Sequence, residues 1–205
     1  MSAALWRFGD PLEPLSECVS RGGILVIPTE SSYGLGVDPG NAVAVERIFE
    51  LKHRDGRKAL PVVIANLAQL RNLGIDPGQS ALRALAPLWP APLTCALPLS
   101  RPCPAAAGGS SLAVRMPAHE PLRRLLEELG TALTATSANL AGEPPLLEPA
   151  EAAAWLAEED AVVIDAGRLP GGPPSTLVAP AGDHFEVLRA GAFPPAQLPP
   201  IEVQP

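Results

Sequence analysis

Polarity along this chain changes most abruptly between Ile24 and Gly36, where the aliphatic run Ile24-Leu25-Val26-Ile27 empties into Pro28-Thr29-Glu30-Ser31-Ser32-Tyr33-Gly34-Leu35-Gly36. A short continuous apolar run predicts a strand buried on both faces, ending here in an elbow of hydroxyls and glycines. Upstream, Leu12, Leu15 and Val19 recur at helical spacing and stop at Arg21-Gly22-Gly23. Downstream, Asn41 is placed to cap a helix whose apolar face holds Val43, Val45, Ile48, Phe49 and Leu51, and whose end delivers Lys52 and Arg54.

Residues 60–65 predict a second buried strand, 66–73 a short helix, 80–88 a helix broken by Trp89-Pro90-Ala91-Pro92, and 94–99 a strand. Arg101 to Ser111, rich in alanine, proline and glycine, predicts a flexible loop, and 112–117 a strand stopped by Pro117. Leu122, Leu125, Leu126 and Leu129 line one face of a helix ended by Gly130. A small-residue strand at 132–136 empties into Ser137-Ala138-Asn139, a helix follows at 151–157, and further strands are expected at 162–164, 175–179 and 185–189. The Pro-rich tail from Phe193 onward is expected to pack poorly. About seven strands with helices between them, some joined too closely for a parallel crossover, predict one α/β domain with a mixed sheet.

Composition narrows the function classes. A net charge of −7 over 205 residues argues against a dedicated nucleic-acid binder, which needs a cationic surplus on one face. Thirteen of the fifteen basic residues are arginine, and the two lysines, Lys52 and Lys58, fall together just after the elbow, as if a compact ammonium were needed there. Three cysteines, Cys18, Cys95 and Cys103, without a CxxC pair fit neither a disulfide framework nor a zinc site, so a reducing cytoplasm is expected. Arg7 and Asp10 sit where a signal peptide needs apolar residues, and no apolar run approaches about 18 residues, so no membrane partner is expected.

Three polar elbows follow strands: Thr29 to Tyr33, Ser137-Ala138-Asn139, and Ser175-Thr176. Ligands of α/β sheets bind at strand ends, so these groups are expected to converge with Lys52, Arg54, Lys58, Arg115 and Arg189 on one pocket. Cations and neutral donors together form a phosphate-handling set, in which positioning and charge stabilisation do most of the catalysis. Taken singly, each residue has a plainer role as cap, turn, dipole partner or surface ion pair. No GxxxxGK[ST], GxGxxG or GxSxG motif is present, and His53, His119 and His184 lack metal-ligand spacing, so each is expected at the surface and no resident metal is expected.

The segments Pro28 to Gly36, Lys52-x-Arg54, Trp89-Pro90-x-Pro92-Leu93-Thr94, Val114-Arg115-Met116-Pro117, Ser137-Ala138-Asn139-x-x-Gly142, Ser175-Thr176 and Leu188-Arg189-x-Gly191 follow one another in the order of the YrdC-like family, which the chain resembles. Seven ordered motifs are more specific than any one of them. The resemblance, to TsaC-type threonylcarbamoyl-AMP synthases of the short form, implies a single-domain twisted α/β sandwich of the YrdC/RibB kind with a concave basic cavity. It implies a YrdC-like domain over residues 8–192, with 193–205 as a tail. The activity implied is condensation of L-threonine, bicarbonate and ATP, the last with Mg2+, into threonylcarbamoyl-AMP and pyrophosphate, for modification of tRNA adenosine 37. The tRNA threonylcarbamoyl transferase machinery is the implied macromolecular partner.

Position by position, the resemblance implies that Arg54, Lys58, Ser111, Ser137, Asn139 and Arg189 hold ATP, with Lys52, Arg54, Ser137 and Asn139 as a catalytic polar tetrad. It implies that Ser31, Arg115 and Ser175 hold threonine, and their elbow neighbours Thr29, Tyr33 and Thr176 join that group. Ser31 stands where many members carry threonine and Val63 where some carry histidine, which bears on selection of threonine over serine. Two other readings stay open: an RNA-binding module that uses the same face, including a weak contact with RNA, and a paralogue that adenylates a different carbamate or amino acid.

Overall fold

The computed structural model describes residues 3–53 and 58–202. The strands are β1 (Ala4–Arg7), β2 (Ile24–Pro28), β3 (Tyr33–Gly36), β4 (Val62–Val63), β5 (Leu93–Pro98), β6 (Ser111–Arg115), β7 (Leu133–Thr134), β8 (Thr136–Ser137), β9 (Ala161–Asp165), β10 (Thr176–Ala181) and β11 (His184–Arg189). The α-helices are α1 (Glu13–Ser20), α2 (Ala42–Leu51), α3 (Ser80–Leu85), α4 (Glu120–Glu128) and α5 (Pro149–Trp155), and 67–73 is a 3-10 helix. Among the described residues no helix is long and apolar enough to cross a membrane.

Two mixed sheets stand where the sequence predicts one. The first runs β1-β9-β2-β3-β8 and the second β11-β10-β5-β6-β4-β7. Alternation along β2 explains how both faces are buried: Ile24 and Val26 join the large core that also takes Val62, Leu93, Cys95 and Val114 of the second sheet. Leu25 and Ile27 turn the other way, onto Leu15 and Cys18 of α1 and Leu122, Leu125 and Leu126 of α4. Each of the four β2 aliphatics is fully buried, as the continuous run predicts.

The stretch 132–137 joins the sheets. Leu133 and Thr134 pair with β4, then the chain crosses at Ala135, and Thr136 and Ser137 pair with β3. Thr134 fixes the corner by donating its hydroxyl to Leu35 O at 3.0 Å and accepting from Val37 N at 3.0 Å. Gly36 permits the approach, since a Cβ there would meet Leu25 O at 3.2 Å and Thr134 O at 3.3 Å.

Several expectations are corrected. Ala4–Arg7, unassigned from the sequence, is a strand because it pairs in parallel with β9. Val43 is 81% exposed, on the solvent side of α2. The loop 101–111 is not free: Cys103, Ala105 and Ala106 are buried, and Leu60 N donates to Ala105 O at 2.8 Å. His119 is no surface histidine; its Nδ1 caps α4 by accepting from Leu122 N at 3.1 Å. The tail also packs, with Phe193 and Ile201 in the large core and Ile201 N bonded to Asp183 O.

Candidate active site

Strand ends of the second sheet assemble one half of the site. Register sets Thr176 opposite Leu93 and Cys95 opposite Val114, which brings Ser175, Thr94 and Arg115 to the same edge. Thr94 Oγ1 and Ser175 Oγ lie 2.8 Å apart, and Arg189 at the end of β11 donates through Nη2 to Ser175 O at 2.9 Å. A Cβ on Gly191 would collide with Pro174 O and Ser175 O, so glycine is what lets the chain after Arg189 pass so near. Burial, and then the like charge of Arg115, pull the Arg189 guanidinium below its ordinary value.

Arg115 reaches from this edge to the elbow of the first sheet. Its Nη1 lies 2.6 Å from Oε2 of Glu30, and Oε1 of Glu30 accepts from Ala118 N at 2.6 Å. Burial alone would raise the Glu30 carboxyl, but Arg115 and the backbone donors outweigh it and hold it below its ordinary range.

The other half of the site is built around the C-terminal end of α2. Lys52, 3% exposed, donates through Nζ to the carbonyl of Ser137, to Asn139 O at 2.8 Å and to Asn139 Oδ1 at 2.7 Å. Ser137 Oγ donates to Asn139 Oδ1 at 2.6 Å, and Asn139 Nδ2 donates to Glu143 O. The elbow links the halves: Ser137 pairs with Gly34, and Ala138 N bonds Tyr33 O at 2.9 Å, three residues beyond Glu30. Beside Asn139 lies a cleft of about 560 Å³ walled by Pro144, Pro145, Leu146 and Trp155.

The predicted residues therefore separate into groups. Arg115, Arg189 and Ser175 meet at one strand edge, and Lys52, Ser137 and Asn139 form one network. Ser31, half-buried, sits on the linking elbow, where its carbonyl accepts from Gly171 N at 2.9 Å. Lys58 and Ser111 are exposed, and Arg54 lies outside the described residues.

Thr29, Tyr33 and Thr176, expected beside threonine, each have a hydroxyl engaged within the framework of the site. Thr29 Oγ1 closes the elbow on Ser32 O at 2.8 Å. The fully buried Tyr33 donates to Gly167 O at 2.7 Å and accepts from Ala166 N at 3.1 Å. The Thr176 hydroxyl donates to Phe193 O at 2.6 Å and accepts from Gly191 N and Phe193 N.

Sequence reasoning missed Glu30 and Thr94 as individual members of the site. Both lay inside motifs already singled out, Glu30 in the elbow and Thr94 at the start of a predicted strand, and only their partners Arg115 and Ser175 bring them to the site. Covalent cysteine chemistry has no support: burial pushes the Cys95 thiol up to about 12 and Cys18 to about 11.

Comparison with known proteins gives consistent neighbours. Residues 17–191 match the Sua5, YciO and YrdC family, described as "Telomere recombination". A threonylcarbamoyl-AMP synthase of Thiobacillus denitrificans is 42% identical over 130 residues, covering 61% of this chain and 68% of that protein. A second, from Idiomarina loihiensis, is 35% identical over 166 residues, covering 79% of this chain and 89% of that protein. Among solved structures, P. abyssi Sua5 complexed with L-threonine superimposes with a TM-score of 0.82 at 30% identity, covering 95% of this chain and 58% of its own, longer chain.

Proposed function

Because the chain belongs to the Sua5, YciO and YrdC family, we propose that it is a threonylcarbamoyl-AMP synthase, which condenses L-threonine, bicarbonate and ATP with release of pyrophosphate. The observation that carries this reading is the meeting of Arg115, Arg189 and Ser175 at one strand edge, joined through the elbow to the Lys52, Ser137 and Asn139 network. Two guanidiniums beside hydroxyl groups suit a substrate that brings a carboxylate and a triphosphate to one place.

In this reading Arg115 pairs with the threonine carboxylate, with Ser31 and Ser175 beside it. Ser137 and Asn139 face the nucleotide, whose base takes the apolar cleft bordered by Pro145 and Trp155. Arg189, Lys58, Ser111 and Arg54 complete the phosphate contacts. Mg2+ belongs to the substrate, arriving on the triphosphate, because hydrated Mg2+ keeps several waters and binds mainly through phosphates.

The amine of threonine adds to CO2 derived from bicarbonate and loses a proton to give a carbamate. A carbamate oxygen then attacks the α-phosphorus, the bond to the β-phosphate breaks, and pyrophosphate leaves. The protein supplies orientation and charge: the cations stabilise the leaving pyrophosphate, and no side chain is required to form a covalent intermediate.

Residues 8–192 carry the catalytic domain in this reading, with β1 added to its first sheet and Phe193 and Ile201 packed into its core. The protein works in the cytoplasm, and its product is passed to the machinery that modifies tRNA adenosine 37. The test is incubation with ATP, L-threonine and bicarbonate, followed by measurement of pyrophosphate and of the adenylate. Pyrophosphate that depends on both threonine and bicarbonate is the expected result, and release that ignores either one overturns the reading.

A further inference from the structure

We infer that Glu30 is a positioning residue for the amino-acid substrate: it fixes Arg115 by one nitrogen, leaves the Nε–Nη2 edge for the substrate carboxylate, and sets the local charge to match one carboxylate. The inference rests on the reading of Arg115 as the carboxylate receiver.

A lone acid in an elbow of hydroxyls is out of place at first sight, because it would repel both a carboxylate and a triphosphate. The geometry resolves this. Both Glu30 oxygens are engaged, one by Arg115 Nη1 and one by Ala118 N, each at 2.6 Å. Among the described residues Arg115 Nε and Nη2 have no protein partner, and no buried side-chain nitrogen or oxygen lacks one. Those two nitrogens therefore reach solvent, on the edge of the guanidinium that pairs bidentately with a carboxylate.

Charge supplies the second argument. Arg115 and Arg189 are near enough for the first to depress the second. With Arg189 given to the phosphates, Glu30 offsets part of the charge of Arg115, so that this edge suits a single carboxylate rather than a second phosphate. Glu30 is also a side-chain tie between the sheets, since it belongs to the loop after β2 while Arg115 ends β6. Its attraction to Arg115 thus places Ser31 and the guanidinium in a fixed mutual position.

A general-base role does not fit, because both oxygens accept hydrogen bonds and the carboxylate is held ionised by its neighbours.

The experiment is calorimetric titration of the full chain with L-threonine and with L-threoninamide, which lacks the carboxylate, for wild type, E30Q and E30D. Wild type should prefer threonine. E30Q should lower that preference about tenfold, equivalent to about 1.4 kcal/mol, and E30D should restore part of it. ATP affinity should stay within about twofold. On an R115M background, E30Q should add nothing to the loss.

An E30Q protein with the wild-type preference overturns the inference, as does one in which threonine, threoninamide and ATP affinities fall together, the mark of a merely structural elbow. A wild type that prefers threonine yet releases no pyrophosphate overturns the synthase reaction and leaves the role of Glu30 standing. A wild type without preference overturns both the reading of Arg115 and this inference.

Discussion

Lys52 donates to Asn139 twice, to its carbonyl at 2.8 Å and to its Oδ1 at 2.7 Å, and once more to the carbonyl of Ser137. These bonds gather three acceptors of a single turn around one ammonium. The lysine thus shapes the turn that presents Ser137 and Asn139.

Replacement of Lys52 by methionine leaves those acceptors without their buried donor. Unfolding in urea should show a loss of about 3 kcal/mol, and pyrophosphate release should fall by about a hundredfold or more. Arginine should not restore activity, because its planar fork does not bring three donors to one point.

Thr176 gives the opposite pattern. Its hydroxyl joins β10 to the segment after Arg189 through Phe193 O, Gly191 N and Phe193 N. Thr176→Val should cost about 2 kcal/mol in urea denaturation while the KM for threonine changes less than about twofold. A large rise in KM without loss of stability would return Thr176 to the substrate pocket.

Stability should depend on pH through two groups. Burial, and then the Arg123 charge, lower the His119 pKa from 6.5 despite the opposing Glu30. The unfolded chain therefore takes up this proton first: the contribution of His119 is full above 6.5 and is lost as pH falls through the lowered folded value. Glu30, depressed from 4.5, contributes fully above that value and loses its contribution as pH falls through its own folded value. Urea midpoints across pH should show both steps, with H119N lacking the upper one because asparagine caps without titrating.

Phe193, 7% exposed, anchors the tail in the core. Phe193→Ala should destabilise by about 3–5 kcal/mol in urea denaturation. A change below about 0.5 kcal/mol would mean that the tail is dispensable to the fold.

What the sequence determined by itself was local. The run Ile24-Leu25-Val26-Ile27, the leucine face of α4 and the Asn41 cap depend on neighbours a few residues away, and each appears as written. Ordered motifs likewise named most of the residues that meet in the candidate site. Tertiary structure alone decided which sheet each strand joined, because a two-residue strand such as Leu133–Thr134 carries no pattern that selects its partner. It decided that Ala4–Arg7 is a strand, since only β9, paired through contacts such as Leu5 with Val163, makes it one. It also set the chemistry within the motifs. Glu30 meets Arg115 across 85 residues and Lys52 meets Asn139 across 87, and such pairings are fixed only when the sheets close on one core.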